Sequence, residues 1–245
     1  MKTALLQITS SDDPVENLDM VRAMVTDAAV QGAKFILTPE VTNCVSTSRT
    51  RQQEVLQLEE DDRTLAGLRK QSAELGIWLL IGSLALKSHD ADGRFVNRSF
   101  MIDPEGQVAA RYDKIHMFDV QVSESEIYRE SAGYRPGTRA VIADTDFGKV
   151  GVTVCYDLRF PHLYAALAQA SAIILTIPSA FSPVTGAAHW ETLVRARAIE
   201  TGCWVIAPAQ TGEHPNTRGK TRTTYGHSLV VAPWGEVLID AGTDP

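Results

Sequence analysis

The chain has 245 residues, enough for one large domain or two small ones. Apolar residues make up 44% and charged residues 22%, which is a globular composition and excludes a disordered or collagen-like chain. The formal net charge of −7, without a long basic run, argues against nucleic acid or an anionic membrane as a partner.

The sequence shows no sign of secretion, of a membrane span or of a structural metal site. No apolar run reaches about 18 residues, and the N-terminal apolar stretch is too short for a signal peptide. The three cysteines, Cys44, Cys155 and Cys203, have no paired spacing, which disfavours a disulfide framework or a zinc site. We therefore expect a cytoplasmic protein in which a single thiol could be reactive.

Strands and helices are interleaved along the first half of the chain. Asp12 or Asp13 can cap the first helix, which Gly32 ends. The predicted elements are a strand at 2–9, that helix, a buried strand at 33–39, a helix opened by residue 61 or 62 and ended by residue 76, and strands at 77–86, 95–103 and 108–114.

The second half continues the same alternation. The predicted elements are a long loop at 115–137, strands at 140–144 and 150–155, a helix near 161–170, a strand at 172–178, a helix at about 189–201, and strands at 203–209, 228–232 and 236–240. A loop as long as 115–137 is more often functional than incidental in a compact domain. No low-complexity linker divides the chain, so we predict one α/β domain whose sheets are covered by helices.

Three residues at the ends of predicted strands could carry chemistry. Cys155, in GKVGVTVCYDLRFPHLY, lies where ligand crevices form in α/β folds, and the N–H of Tyr156 could point at a developing oxyanion. Glu40, in FILTPEV, could be a general base whose pKa is raised by burial. Lys114, in ARYDKIHMF, could stabilise charge on a carbonyl oxygen. Taken singly, each has a simpler interpretation, as a small core residue or as a surface charge.

Taken together, a base, a cation and a nucleophile are the minimum set for cysteine-dependent acyl transfer. With the motifs FILTPEV, YDKIHMFDV and GVTVCYDLRFPHLY, nearly the whole chain resembles the carbon–nitrogen hydrolase (nitrilase) superfamily. The resemblance implies a four-layer α-β-β-α sandwich and a Glu40–Lys114–Cys155 triad. It implies that Glu130, in YRESAGYRPG, orients the lysine and the substrate, that Lys114 and Tyr156 are the oxyanion donors, and that no metal or organic cofactor is needed.

The segments SAFSPVTGAAHWETLVRARAIETGCWVIAPAQTGEH and TTYGHSLVVAPWGEV look most like the amidases of this family that act on deaminated glutathione. That resemblance implies a small-molecule amide substrate and release of 2-oxoglutarate and cysteinylglycine through a thioester. The alternatives are an omega-amidase acting on 2-oxoglutaramate, an N-carbamoyl amidase, a papain-like hydrolase with His116 or His189 as its base, and a non-catalytic binding protein on the same fold.

Residues for substrate binding are also expected. Arg159 could pair with a substrate carboxylate or with Asp157, and both alternatives stay open. The resemblance implies substrate contacts near Phe181 and Thr185, in SAFSPVTG. The basic segment 212–222 is predicted to be a mobile loop that could meet the peptide-like leaving group.

The resemblance extends to assembly. Family members commonly form dimers through helix faces beside the active site, so we expect a homodimer or a higher homo-oligomer. The family usually continues past the point where this chain stops. We therefore expect a single domain over residues 1–245 that is truncated at its C-terminal end.

Overall fold

The computed structural model describes residues 1–121 and 127–245. Within these residues the α-helices are α1 (Pro14–Val30), α2 (Arg49–Val55), α3 (Arg63–Leu75), α4 (Pro161–Gln169) and α5 (Pro183–Thr201). Short 3-10 helices lie at Glu59–Asp61, Glu130–Ala132 and Cys155–Arg159. None of the helices in the described residues is both long enough and apolar enough to cross a membrane.

The described strands are short and number fifteen. They are β1 (Thr3–Leu5), β2 (Phe35–Leu37), β3 (Trp78–Leu86), β4 (Val96–Ile102), β5 (Val108–Asp113), β6 (Asp119–Gln121), β7 (Ile127–Arg129), β8 (Val141–Thr145), β9 (Gly148–Val152), β10 (Ile174–Thr176), β11 (Trp204–Ala207), β12 (Thr211–His214), β13 (Arg222–Tyr225), β14 (Leu229–Val231) and β15 (Val237–Asp240).

Two sheets form the centre of the molecule. The five-stranded sheet has the order β1-β2-β3-β4-β5, with β1, β2 and β3 parallel and the last two strands antiparallel. The six-stranded sheet has the order β15-β14-β11-β10-β9-β8 and is parallel only at its centre, from β9 to β11. Two smaller pairs, β6 with β7 and β12 with β13, lie outside these sheets.

The sheets pack against each other between two layers of helices. Successive side chains of a strand point to opposite faces, and β3 shows both environments. Leu79 packs in the cluster that contains residues of α1 and α3, whereas Leu80 packs in the cluster that contains β9 and β10 of the other sheet. Helices α4 and α5 contribute Leu167 and Trp190 to that second cluster. The predicted α-β-β-α sandwich is therefore confirmed.

Helix boundaries follow the predicted capping residues closely. The Asp13 carboxylate accepts the N–H of Val15 at 2.8 Å, and the Asp62 carboxylate accepts the N–H of Leu65 at 2.8 Å. In each predicted pair of candidate caps, the second aspartate is the one used. Gly76 caps the end of α3 with a φ of 59°, a left-handed conformation that suits glycine.

One predicted helix boundary is wrong. Helix α5 begins at Pro183 and not near His189, because Ser182 caps it by accepting the N–H of Thr185 at 3.4 Å and proline suits a first turn. His189 therefore lies within the helix. Helix α2 was not predicted, since its sequence, RTRQQEV, is polar and offers no apolar period.

Both segments predicted as loops contain strands. Strands β6 and β7 lie in 115–137, of which residues 122–126 fall outside the described part. The segment 212–222 is not a free loop, because it contains parts of the β12–β13 hairpin. The hairpin tip is tied to α2 and the turn before it: Thr47 Oγ1 donates to the carbonyl of Lys220 at 2.8 Å, and Arg218 pairs with Glu54 at 2.6 Å.

Candidate active site

Glu40 lies in the turn that follows β2 and is only 4% exposed. The turn is held by buried hydrogen bonds to distant segments: the N–H of Val41 donates to the Ser83 hydroxyl at 2.8 Å, and Gln210 Nε2 donates to the Glu40 carbonyl at 3.0 Å. Val41 has a φ of 47°, a conformation that a β-branched residue rarely adopts. The surrounding contacts therefore hold the backbone beside Glu40 in a strained conformation.

Lys114 follows β5 and contacts two carboxylates. Its Nζ lies 2.9 Å from Glu40 Oε1, and 2.9 and 2.8 Å from the two carboxylate oxygens of Glu130. Glu130 opens a 3-10 helix and also accepts the N–H of Phe118 at 2.6 Å. The lysine side chain is 2% exposed, so these two carboxylates offset the burial of its charge.

Cys155 opens a 3-10 helix three residues after β9 ends, so the predicted strand at 150–155 is too long. Its φ is 51°, in the left-handed region that non-glycine residues avoid. The Glu40 carboxylate and the Ala180 backbone amide lie beside the sulfur, since the first raises the pKa of the thiol and the second lowers it. The strained turn thus directs the sulfur at Glu40 and places Tyr156 next to it.

Asn97 was not singled out from the sequence, although it orients the Glu40 carboxylate. Its Nδ2 donates to Glu40 Oε1 at 2.9 Å, the same oxygen that Lys114 contacts. The other carboxylate oxygen is then the one available to the thiol of Cys155. Asn97 is one of three consecutive polar residues in β4, with Arg98 and Ser99, and no motif in the sequence distinguished it from them.

These contacts set the protonation states of the three central groups. Burial by itself would raise the pKa of Glu40, but the positive charge of Lys114 and the hydrogen bond from Cys155 hold that pKa below its ordinary value. The expected rise was therefore wrong. Burial would lower the pKa of Lys114, but Glu130 and Glu40 raise it well above its ordinary value.

The pKa of the Cys155 thiol is shifted in the opposite direction to that of the Glu40 carboxylate. Burial and the negative charge of Glu40 raise the pKa of Cys155 well above its ordinary value, although Lys114 opposes them. At neutral pH the site therefore contains a carboxylate, an ammonium and an uncharged thiol.

A buried aspartate joins the turn of Cys155 to the turn of Lys114. Asp157 accepts the Tyr112 hydroxyl at 2.7 Å, the Val154 N–H at 2.9 Å and the His116 N–H at 3.0 Å. The ring Nδ1 of His116 lies 2.7 Å from the same carboxylate. His116 is thus a partner of Asp157, and neither it nor His189 lines the cavity that contains the sulfur.

The candidate residues surround one cavity of about 670 Å³. The residues predicted from the sequence that line it are Glu40, Lys114, Glu130, Cys155, Tyr156, Phe181 and Thr185. Three further cations also line it, namely Arg129, Lys220 and Arg222. Among the described residues, no group of three His, Cys, Asp or Glu side chains is placed to hold a metal ion.

Arg159 is the predicted site residue that does not line this cavity. Its Nη2 lies 2.9 Å from Nδ1 of His189 on α5, and it forms no ion pair with Asp157. Asp157 already accepts hydrogen bonds from three other residues. Arg222, at the start of β13, brings a guanidinium to the cavity instead. The basic composition of 212–222 was the signal for it.

The cavity contains a buried thiol, a carboxylate and an ammonium, and it lies on a sandwich of two sheets between helices. These are the catalytic groups of an acyl-transfer hydrolase. Residues 2–245 match the Carbon-nitrogen hydrolase family. The chain belongs to this family and is a hydrolase of carbon–nitrogen bonds.

Curated relatives match nearly the whole chain. Deaminated glutathione amidase of Yersinia enterocolitica is 39% identical over 236 residues, which are 96% of this chain and 80% of the relative. The protein of the same name from Mus musculus is 41% identical over 246 residues, which are 99% of this chain and 74% of the relative.

Solved structures share the fold. The C. elegans NitFhit protein has a TM-score of 0.88 at 34% identity, covering 98% of this chain and 59% of its own. Saccharomyces cerevisiae Nit3, described as a member of branch 10 of the nitrilase superfamily, has a TM-score of 0.85 at 27% identity, covering 99% and 86%.

Proposed function

We propose that the protein is an amidase that hydrolyses deaminated glutathione to 2-oxoglutarate and cysteinylglycine. The convergence of Glu40, Lys114 and Cys155 at one cavity carries the proposal. Deaminated glutathione is proposed as the substrate because the chain matches deaminated glutathione amidases over nearly its whole length. The cations that line the cavity suit a substrate with two carboxylates.

In the proposed first half-reaction, Glu40 accepts the thiol proton as the sulfur of Cys155 attacks the amide carbon. The thiol is uncharged at rest, so proton transfer accompanies the attack. Lys114 and the N–H of Tyr156 stabilise the oxyanion. Glu40 then gives the proton to the amine of cysteinylglycine, the carbon–nitrogen bond breaks, and a thioester remains on Cys155.

In the proposed second half-reaction, water replaces the sulfur. Glu40 takes a proton from the water as its oxygen attacks the thioester carbon. The carbon–sulfur bond breaks, the proton returns to the sulfur of Cys155, and 2-oxoglutarate leaves. Phe181 and Thr185 contact the acyl chain in this proposal, and Glu130 holds Lys114 in position.

A substrate panel tests the proposal. We expect a higher kcat/KM for deaminated glutathione than for 2-oxoglutaramate or an N-carbamoyl amino acid, with released 2-oxoglutarate and ammonia measured separately. Mass spectrometry with a slow substrate should find a 2-oxoglutaryl adduct on Cys155. A preference for 2-oxoglutaramate would indicate an omega-amidase, and full activity in Cys155→Ala would overturn the thiol mechanism. Binding without any turnover would indicate a non-catalytic protein.

We further propose a homodimer that uses the surface of α5 and β15. Ile199 on α5 and Leu238 and Ile239 on β15 are apolar and half exposed. Ile199 packs against the turn at Gly235 before β15, so the two elements share one surface. We also propose a cytoplasmic location, which the three free, buried cysteines support.

Analytical ultracentrifugation tests this assembly. Ile239→Asp should shift the protein from dimer to monomer, because it places a charge in the apolar contact. Val15→Asp, at an exposed position on α1 in the opposite helix layer, is the matched control and should leave the dimer intact. An unchanged sedimentation coefficient for Ile239→Asp would contradict the proposed contact.

A further inference from the structure

Two cations at the cavity have no carboxylate partner among the residues that the structure describes. Arg222 and Lys220 both line the cavity that contains Cys155. Within residues 1–121 and 127–245 neither forms an ion pair, whereas Arg218 of the same hairpin pairs with Glu54 at 2.6 Å. A guanidinium that faces a cavity without an acidic partner is available to a ligand carboxylate.

Arg222 is also held in position before any ligand binds. Its Nη2 donates to the carbonyl of Ala180 at 2.7 Å, and the amide of the same Ala180 lies beside the sulfur of Cys155, whose pKa it lowers. Its backbone is fixed by the pairing of Arg222 with His214 in the β12–β13 hairpin. A guanidinium has five N–H donors, so one bond to a carbonyl leaves donors for a carboxylate.

The position of Arg222 relative to Glu40 indicates which part of the substrate it meets. Its charge is close enough to Glu40 to lower the pKa of that carboxylate. Gln210, beside the start of β12, donates to the Glu40 carbonyl at 3.0 Å, so the hairpin begins next to Glu40. In the proposed reaction Glu40 protonates the leaving amine, and the leaving group therefore departs beside Glu40.

We propose that Arg222, assisted by Lys220, binds the C-terminal carboxylate of the cysteinylglycine leaving group and so selects a peptide-like amine over ammonia. This inference rests on the proposed function and assigns its leaving-group specificity to the β12–β13 hairpin. Lys220 is exposed at the end of this hairpin and adds positive charge next to Arg222.

The experiment compares three substrates: deaminated glutathione, its C-terminal carboxamide and 2-oxoglutaramate. A charged hydrogen bond to one carboxylate predicts that the wild-type enzyme prefers the acid to the carboxamide by about 10- to 100-fold in kcat/KM. Arg222→Gln should abolish that preference and lower the ratio of deaminated glutathione to 2-oxoglutaramate turnover by a similar factor. Arg222→Lys should retain part of the preference for the acid over the carboxamide. Arg218→Gln, which removes an already paired arginine of the same hairpin, should leave both ratios unchanged.

The outcomes separate this inference from the proposed function. Equal losses on all three substrates in Arg222→Gln would show a merely structural role and overturn the inference alone. Equal wild-type turnover of the acid and the carboxamide would also overturn it, and this measurement does not depend on any variant folding. If the wild-type enzyme hydrolyses neither 2-oxoglutaryl amide, the proposed function fails and the inference fails with it.

Discussion

The ionised state of Glu40 is maintained by a contact between two side chains. Its pKa lies below the ordinary 4.5 because Lys114, the hydrogen bond from Cys155 and the charge of Arg222 together outweigh the effect of burial. If Glu40 is the base, kcat/KM should fall as the pH drops through the pKa of Glu40, which lies below 4.5, because Glu40 becomes protonated there. A pH profile of initial rates, with circular dichroism to check folding, measures this. An acid limb centred above 4.5 would contradict the assignment.

The left-handed conformation of Cys155 gives a prediction about stability. A protein with glycine at a given position in a helix or strand is usually less stable than the same protein with alanine there, by about 0.5–1 kcal/mol. At Cys155 the order should reverse, because a left-handed backbone costs a non-glycine residue about 1–2 kcal/mol. Urea unfolding should show Cys155→Gly to be more stable than Cys155→Ala.

Cys203 is the matched control for this comparison. It is also a buried free cysteine, and its φ is not positive. Cys203→Ala should therefore be more stable than Cys203→Gly. The same order at both positions would indicate that the turn at Cys155 carries no strain.

The motifs predicted which residues meet at the site but not what surrounds them. Glu40, Lys114 and Cys155 each follow a strand and lie in motifs long enough to compare with a family. Asn97 and Arg222 lie in a strand and a hairpin whose polar residues look like many others. The direction of the Glu40 pKa depends on a distance of 2.9 Å to Lys114, which residue spacing does not reveal.

At the level of elements, Asp157 connects the 3-10 helix of Cys155 to the end of β5. Asp157→Asn replaces one acceptor oxygen by an amide donor, so at least one of the donors it now binds would lose its partner. We expect kcat to fall by about 100-fold with little change in KM, because the sulfur and Lys114 lose their relative position.

Steady-state kinetics and thermal unfolding measure this effect together. Asp144→Asn is the matched control, since Asp144 is an exposed residue of β8 that lines no part of the cavity. It should leave kcat unchanged. A fall in kcat that is fully explained by unfolding of the Asp157→Asn variant would contradict a positioning role.

Prediction of the elements succeeded where the chain has apolar periods and capping residues. Helix α3 begins after Asp62 and ends before Gly76, as expected from those two residues. Helix α2 and the β12–β13 hairpin were missed because their residues are mostly polar and their stability comes from contacts with distant segments, such as the bond from Thr47 to Lys220.

On the scale of the whole molecule, the site is divided between the two sheets. Glu40 and Lys114 follow strands of the five-stranded sheet, whereas Cys155 follows β9 of the six-stranded sheet. Leu80→Ala should loosen the contact between the sheets and lower kcat by about tenfold or more, since small displacements of reacting groups are costly. Its free energy of unfolding should fall by about 2–5 kcal/mol.

Leu79→Ala separates the two effects. Leu79 is equally buried but packs toward α1 and α3, away from the other sheet. We expect a similar loss of stability, measured by urea unfolding, with kcat close to that of the wild-type enzyme. Equal losses of kcat in both variants would show that the spacing of the sheets does not control the site.

The Lys114 ammonium between two carboxylates has a consequence for the energetics of turnover. Glu40, Glu130 and Lys114 together carry one excess negative charge when the thiol is uncharged. In the proposed reaction the tetrahedral intermediate gains a negative oxygen while Glu40 is neutral, and the thioester restores the ionised Glu40. The interior thus holds the same total charge at every stage, and only its location shifts by a few ångströms. A buried set of charges can tolerate that relocation far better than it could the appearance of a new ion.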